Sequence, residues 1–546
     1  MSGADQHRYL AALPRGDEQV FLSWRLLDGD RPDVGFHVER RPASGGAWTR
    51  VTPETVVDST GFLDRTPRPG AWAYRVVSTD GSASEAATVD SAAPPTPVAI
   101  DVPLNPDDLV EGNAVALGDL RNDGRIGYVV RSVRRGTIWI SAFAHDGAAL
   151  WETDTYLPGA GGWNGSALHV PVLCWDVNTD GRTEVVFRRD KIPSGATRHE
   201  ATGPNETMVA LDAETGQVVW ERPWPGRRPR EMMTVGHLRG LDALAAVVHQ
   251  DETYGPVVLT AVDGATGDIL WRVEQDRPGG HNLDVGDIYG DGAQEVICGG
   301  ICYNGDGSVR WQAEPFGHTD ISKPARIDPA REGLQIWYAV ESDNPGVYLV
   351  DYRGRTIFKE AFRHAHYGWV ARHTASVPGL QPHTAEDARH EYGAADAGAR
   401  REGHFPIFLP DGSHWLNLTE WQRKNLVPVH WDAGPEVVFI VRKDDKRIVR
   451  LLPTGQIEDV PEGGLPAGGR YGRNLACADV VGDFRENIVA IDGECHRLMV
   501  LANPTPCAVR GYSPWADFEY RHDRSQHGSG YYIYLSPPDT AVNRRA

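Results

Sequence analysis

Residues 362–373 read FRHAHYGWVARH and bring Arg363, His364, His366, Tyr367, Arg372 and His373 into one short segment. Imidazole and phenol groups move protons, and guanidinium groups neutralise anions. In an extended strand, His364 and His366 share one face, and Arg363, Ala365 and Tyr367 share the other. The plain alternative is a polar loop whose histidines are satisfied by hydrogen bonds. A second constellation is acidic. Asp176, Asn178, Asp180, Gly181 and Glu184 follow a D-x-N-x-D-G-x-x-E spacing. Oxygen ligands at alternate positions converge on a hard cation, and glycine permits the sharp turn, so this loop is expected to hold Ca²⁺. Asp287, Asp291, Gly292 and Glu295 keep the pattern with Tyr289 at the third position, and give a second expected calcium loop. Without metal, either loop reads as a hydrogen-bonded Asx turn. A third group, Arg470, Tyr471 and Arg473, could neutralise a carboxylate or stack on a sugar.

The elements that must carry these residues repeat along the chain. Acidic turns followed by apolar strands begin at Gly118 (GDLRNDGRIGYVVR), Trp175 (WDVNTDGRTEVVFR), Gly286 (GDIYGDGAQEVICG) and Ala478 (ADVVGDFRENIVAI). A second motif interleaves with them: MVALDAETGQVVW ends at Trp220, LTAVDGATGDILW ends at Trp271, and GVYLVDYRGRTIF is a weaker copy. Strand, Asp/Thr-Gly turn, strand is a β-hairpin signature. The period suits propeller blades of about 40–50 residues lengthened by loops. The expected fold is therefore all-β, a large propeller over residues 94–546 with eight blades, or seven, and a loose insertion near 376–416. His383, His390 and His404 fall in that insertion, as a lid or a solvated loop. Trp415 and Trp421 read as blade core. Ahead of the propeller, QVFLSWRLL, FHVERRP and WAYRVVSTD predict a small fibronectin- or immunoglobulin-like β-sandwich over residues 1–93, joined by the Pro-rich SAAPPTPVAIDVP.

Composition limits the function. Among 546 residues, 55 Lys and Arg against 75 Asp and Glu leave a net charge of −20, which argues against nucleic acid as partner. An anionic substrate then needs a local basic pocket or bound cations. No apolar run is long enough for a membrane helix. The N-terminal MSGADQHRYLAALPRGDEQ lacks a basic region followed by an apolar stretch, so a cytoplasmic location is expected, or secretion if the chain is trimmed. The six cysteines are too sparse for a disulfide scaffold and read as buried reduced thiols.

Several of these segments together resemble the polysaccharide lyases of family eleven, the rhamnogalacturonan lyases. FLSWRLL at Phe21–Leu27 resembles the opening strand of that family's N-terminal domain. HNLDVGDIYGDGAQEVICGG from His281 resembles its central repeat, and GHTDISKPARIDPAREGLQIW from Gly317 its G-H-G-D segment. ADVVGDFRENIV from Ala478 resembles its A-D-x-x-G-D-W-R-E-E-V. The resemblance implies a calcium-containing propeller, a role for His281 and His318 with Asp320 beside them, and an acidic rhamnose-containing glycan as substrate. The chain departs from the family pattern around the first repeat, where Asn113 is kept but Arg131 replaces a lysine. It departs again at residues 366–372 and at Gly468–Tyr471. These departures widen the expected substrate to rhamnosyl-glucuronate or ulvan-like glycans.

β-Elimination beside a uronate requires a neutralised carboxylate, a base for the C5 proton and an acid for the leaving oxygen. Ca²⁺ or arginine serves the first need. His364 or His366 is expected as base and Tyr367 as acid, with His281 and His318 beside them. Asn113, Arg131, Asp320, Arg363, Arg372, Arg470, Tyr471 and Arg473 are expected to bind substrate, in a protein that works as a monomer. Two other classes compete. A glycoside hydrolase on the same scaffold needs paired acids, for which Asp320, Glu341 and Asp351 are the candidates. A non-catalytic carbohydrate-binding propeller needs no convergence of these groups at all.

Overall fold

A computed structural model describes residues 7–65, 67–94, 98–110, 114–159, 170–190, 205–226, 231–314, 316–362, 364–386, 405–418, 426–441, 447–465 and 470–526. Among the described residues of 98–501, eight four-stranded antiparallel sheets form, seven of them meanders and the eighth completed by a strand from the start of the span. Their first strands are Val115–Gly118, Val172–Trp175, Met232–Gly236, Asp284–Gly286, Thr319–Ala325, Ala365–Ala371, Leu426–Val429 and Arg470–Ala478. These first strands lie against one another in succession from the first sheet to the seventh, and the eighth lies against the first. Sheets seven and eight share a core built from Val427, Ile440, Ala490 and Met499. This is the arrangement of a β-propeller. Each sheet is covered on both faces by its neighbours. Strands such as Val-Leu-Cys-Trp at 172–175 are therefore apolar throughout rather than alternating, and every residue in that strand is buried.

The outer strands explain the repeated tryptophans. The indole Nε1 of Trp151 donates to the Ala213 carbonyl at 2.8 Å in the next sheet. Trp220 does the same to Gly264 at 2.7 Å, Trp271 to Gly305 at 2.9 Å and Trp311 to Tyr352 at 2.9 Å. Each ring lies under the next sheet's hairpin turn. There the backbone adopts positive φ at Gly216, Gly267, Gly307 and Gly354, and a Cβ would meet the ring at 2.8 Å or less. A tryptophan at the end of one repeat and a glycine in the turn of the next thus form a single lock between sheets. The amphipathic indole suits this place, because its ring is covered while its N–H finds a carbonyl.

The ring is closed by two distant parts of the chain. Val98–Pro103 is the outermost strand of the eighth sheet and pairs with Arg497–Leu501. After that sheet comes the helix Phe518–Ser525, capped by Asp517, whose carboxylate accepts from Tyr520 N at 3.0 Å. It rests on first strands from across the ring. His522 Nε2 bonds the Val235 carbonyl at 2.6 Å, Lys323 Nζ donates to Asp523 at 2.7 Å, Arg524 pairs with Glu486 at 2.5 Å, and Arg521 lies over Trp175. No helix among the described residues is long and apolar enough to cross a membrane.

Residues before this ring form two sheets, Ala11–Pro14, Val20–Ser23 and Gly61–Asp64 in one, Thr49–Arg50, Phe36–Pro42, Ala71–Ser78 and Ala87–Asp90 in the other. They enclose a core of their own around Trp24, Phe36, Tyr74 and Val76. This unit docks on the eighth sheet. Arg25 pairs with fully buried Asp479 at 3.4 Å, and Thr60 N donates to the Val509 carbonyl at 2.7 Å.

Within the stretch near 376–416 expected as an insertion, the sixth sheet draws on Gln381–Glu386, Pro406–Phe408 and His414–Asn417, and 387–404 lie outside the described residues. His383 is accordingly a buried core residue against Trp369 and Phe439, not a lid residue. His390, His404 and Trp421 lie outside the described residues, whereas Trp415 packs against the core that contains Phe405 and Phe439.

A candidate histidine–carboxylate centre

The four strands of each sheet alternate in direction, so everything that precedes a first strand or follows a second strand lies at one end of the ring. His281 precedes Asp284–Gly286, His318 precedes Thr319–Ala325, and His364 precedes Ala365–Ala371. Glu341 follows the second strand Gln335–Val340, and Tyr254 follows the second strand Ala246–Gln250. Residues spread from 254 to 364 are thereby delivered to one place by four neighbouring sheets.

There they converge. His281 Nε2 lies 3.6 Å from Asp320 Oδ1 and 4.0 Å from Glu341 Oε2. His318 Nε2 lies 3.4 Å from Glu341 Oε2 and 3.8 Å from Asp320 Oδ1. His364 Nε2 is 4.0 Å from Glu341 Oε1. The two imidazole rings of His281 and His318 meet edge to face at 4.5 Å. The backbone holds this arrangement. His281 N donates to the Thr319 carbonyl at 3.0 Å, and Glu341 N donates to the His318 carbonyl at 2.9 Å. A break in register between Thr319 and Ile321 takes Asp320 out of the ladder, as a bulge does when it re-aims a side chain.

Ligand atoms of His281, His318, Asp320 and Glu341 all fall within 4.8 Å of one another, the spacing of donors around a single cation. The tautomer of His318 agrees. Its Nδ1 donates to the Thr253 carbonyl at 2.9 Å, so in the neutral ring the lone pair is on Nε2, facing the two carboxylates. Two imidazole nitrogens and two carboxylates fit a divalent cation, with more nitrogen than a pure calcium cage uses.

Tyr254 completes the site. Its ring stacks on His318 at 4.1 Å and 30°, and its hydroxyl is 3.5 Å from Glu341 Oε2. The other side chains are almost fully buried, whereas Tyr254 is 46% exposed.

The remaining expected residues fall elsewhere. Arg372 follows the strand Ala365–Ala371 and so lies at the opposite end of the ring from His364, which corrects its expected place in the pocket. His373 beside it is buried against His383 and Phe439, and burial holds it well below the usual imidazole range. Arg131 is also buried, with Nη1 on the Val170 carbonyl, and is not available on the surface to a glycan. Asp351 sits in a hairpin turn with Arg355 at 2.8 Å, at the far end of its sheet from Glu341, so it makes no acid pair with it. His366 and Tyr367 lie in the strand that His364 leads into, and Arg470, Tyr471 and Arg473 in the first strand of the eighth sheet. Asn113 and Arg363 lie outside the described residues. Sequence reasoning missed Tyr254 altogether and weighed Glu341 only as a hydrolytic acid; neither belongs to a local motif.

The acidic loops occupy the other end of the ring, between first and second strands. In the loop after Trp175, Asp176 accepts from Asp180 N at 3.1 Å and Gly181 N at 3.0 Å, and Glu184 accepts from Val177 N at 3.0 Å. Arg182 turns away to Asp212 and Glu214. Burial, with Asp176 and Asp180 nearby, pushes the Glu184 carboxyl up to about 8. With Arg182 turned away, the donor set Asp176, Asn178, Asp180 and Glu184 fits a calcium ion. The loop after Gly286 differs. Arg310 donates to Glu295 at 3.0 Å and lies 3.4 Å from the Tyr289 ring centre, so a guanidinium already stands on the last acid of the motif. Asp287 accepts from Asp291 N and Gly292 N as an Asx turn does. All six cysteines are free thiols, five of them buried.

Comparisons with known proteins agree with this layout. The model of the C-terminal domain of rhamnogalacturonan lyase family 11 matches residues 272–373, the stretch that holds His281, His318, Asp320, Glu341 and His364. The chain is 23% identical to rhamnogalacturonan endolyase YesW of Bacillus subtilis (strain 168), over 94% of this chain and 88% of that one. It is 24% identical to rhamnogalacturonan exolyase YesX of the same organism, over 61% and 63%. The crystal structure of exotype rhamnogalacturonan lyase YesX superposes with a TM-score of 0.80 at 20% identity, covering 98% of both chains. The Bacillus licheniformis rhamnogalacturonan lyase superposes with 0.78 at 20% identity, covering 99% and 96%. The matched domain, the order of motifs and the shared architecture make the chain similar to the rhamnogalacturonan lyases of polysaccharide lyase family 11 over most of its length.

Proposed function

We propose that the protein is a rhamnogalacturonan-type lyase that cleaves the bond between a rhamnose and a uronic acid by β-elimination. The observation that carries this reading is the convergence of His281, His318, Asp320 and Glu341, with His364 beside them, at one end of the ring. His281, His318, Asp320 and Glu341 would hold a divalent cation. When bound, such a cation neutralises the substrate carboxylate and makes the neighbouring C5 proton more acidic. Thr253 fixes the His318 tautomer, and the Asp320 bulge holds its carboxylate in the cluster. His364, with Nε2 4.0 Å from Glu341 Oε1, stands at the edge of the cluster and is the proposed base for the C5 proton. His366 and Tyr367 remain the nearest proton carriers in sequence, and Tyr367 is the proposed acid for the leaving oxygen. Asp176, Asn178, Asp180 and Glu184 hold a structural calcium ion remote from the reaction. Mixed nitrogen and oxygen donors at the histidine cluster favour a lyase over a hydrolase, whose two acids would face each other across the bond without histidines between them.

The test is absorbance near ~235 nm, where the unsaturated uronate formed by elimination absorbs, with a parallel count of reducing ends. Rhamnogalacturonan backbone is the expected substrate, and rhamnosyl-glucuronate and ulvan-like glycans are assayed beside it. A rise that chelator abolishes and a divalent cation restores supports the proposal. New reducing ends without absorbance would replace it with hydrolysis, and silence in both with glycan binding.

A further inference from the structure

Tyr254 is large, aromatic and 46% exposed, in contact with a cluster whose other members are nearly closed to solvent. The side chains of His281, His318, Asp320, Glu341 and His364 are exposed by 7, 1, 0, 10 and 5%. The exposed aliphatic residues Val218, Ile269 and Val309 lie on outer strands far along their sheets, whereas Tyr254 lies in the loop after the second strand Ala246–Gln250, at the cluster. His318 covers part of its ring at 4.1 Å, His281 approaches at 90°, and the hydroxyl points to Glu341. What remains open is an aromatic surface bordering the proposed cation site.

An aromatic face carries negative charge density and takes C–H-rich surfaces, while it repels a carboxylate. The cluster has the opposite preference once it holds a cation. The two surfaces adjoin, so a glycan alternating a neutral sugar with a uronate can satisfy both at once. The sugar suited to the ring is a 6-deoxyhexose, which adds to its ring hydrogens an apolar C6 methyl group where a uronate carries a carboxylate. We propose that Tyr254 is a substrate-contacting, specificity-determining residue that seats the deoxysugar next to the bond cleaved, and so sets the neighbouring uronate carboxylate on the cluster. This rests on the lyase reading above and adds to it a named platform outside the matched family domain, which begins at residue 272.

The experiment compares wild-type protein with Y254A and Y254F on rhamnogalacturonan backbone oligosaccharides and on oligogalacturonate, which has no deoxysugar. Bound metal is measured in each protein by elemental analysis. Expected for Y254A is a KM on rhamnogalacturonan raised about tenfold or more, with kcat within about threefold and metal content unchanged, and a smaller preference over oligogalacturonate. Y254F, which keeps the ring, stays within about threefold of wild type. Unchanged KM in Y254A overturns the proposal. A loss in Y254F equal to that in Y254A overturns it in favour of the hydroxyl, and loss of metal in Y254A overturns it in favour of a structural cover. Wild-type protein that forms no unsaturated product sinks the lyase reading instead. Calorimetric titration with the same oligosaccharides then still decides Tyr254: binding about tenfold weaker in Y254A upholds the platform, and equal binding ends it.

Discussion

The two ends of the ring both gather acids, and they gather them differently. At one end, Asp176, Asp180 and Glu184 lie within nine residues of one another, and backbone amides of their own turn occupy part of their oxygens. At the other, Asp320 and Glu341 meet histidines delivered by separate loops. The turn would form for its own hydrogen bonds. The histidine cluster has no such local reason, and desolvating carboxylates beside imidazoles is costly unless a cation or substrate uses them. A repeated local motif therefore marks architecture here, while the proposed chemistry lies where the topology brings together residues that share no motif.

The largest effect expected from this contrast is on turnover. His318→Ala or Glu341→Gln should lower formation of unsaturated product by about 10³-fold or more, while Asp176→Asn changes it by less than about threefold. Equal losses at both ends, read at the same wavelength, would erase the distinction.

A second contrast lies among the acidic turns themselves. Asp479, in the eighth sheet, is buried, and its carboxyl rises to about 6 despite the guanidinium of Arg25. Arg25→Ala should destabilise the protein by about 3–5 kcal/mol, as loss of one partner of a buried pair does. The sign with pH is fixed. A carboxyl raised above its unfolded value costs the fold stability as pH rises through that range, and without Arg25 it costs more. The deficit in chemical denaturation should thus be larger at pH 8 than at pH 5, where Asp479 can take a proton.

Calcium should separate the turns next. Adding calcium at about 100 times Kd should stabilise the protein by about 2–3 kcal/mol through the 176–184 turn, and Asp180→Asn should remove most of that gain. Arg310→Ala should raise the calcium stoichiometry by one in equilibrium dialysis, because it takes the resident cation from Glu295. No change on losing Arg310 would mean that this turn needs no cation.

The smallest effect concerns His383. Burial lowers it to about 3, so the fold keeps it neutral while the unfolded chain protonates it below about 6.5. Stability from this residue is complete above that value and lost as pH falls, by about 2 kcal/mol at pH 5. His383→Met should reduce the difference in Tm between pH 7 and pH 5.

These contrasts also explain what could be read from the sequence. Acidic turns, hairpins and the Trp–Gly pairs recur at regular spacing, so the all-β repeat architecture was legible. The sixth sheet was not, because Pro406–Phe408 is too short to show a period and sits beyond a long stretch of loop composition. The segment 362–373 was read as one cluster, but an extended strand carries Arg372 to the opposite end from His364. His281 and His318 were found through family resemblance. Glu341 and Tyr254 were hidden, since nothing local distinguishes a glutamate after an apolar strand, or a tyrosine before a Gly-Pro turn, from many others.

The closing strand has one more consequence, for how the molecule is made. Val98–Pro103 leaves the ribosome long before its partner Arg497–Leu501, the last strand in chain order among the described residues. The helix that rests across the ring is later still. During synthesis the nascent chain therefore exposes an unpaired strand edge and an open ring over the roughly four hundred residues that separate these two strands, a state prone to pairing with other chains. The early sandwich, with its own core, can fold meanwhile, but its dock waits until Asp479 and Val509 have emerged. Closure should thus be a late, slow and cooperative event dominated by contacts distant in sequence.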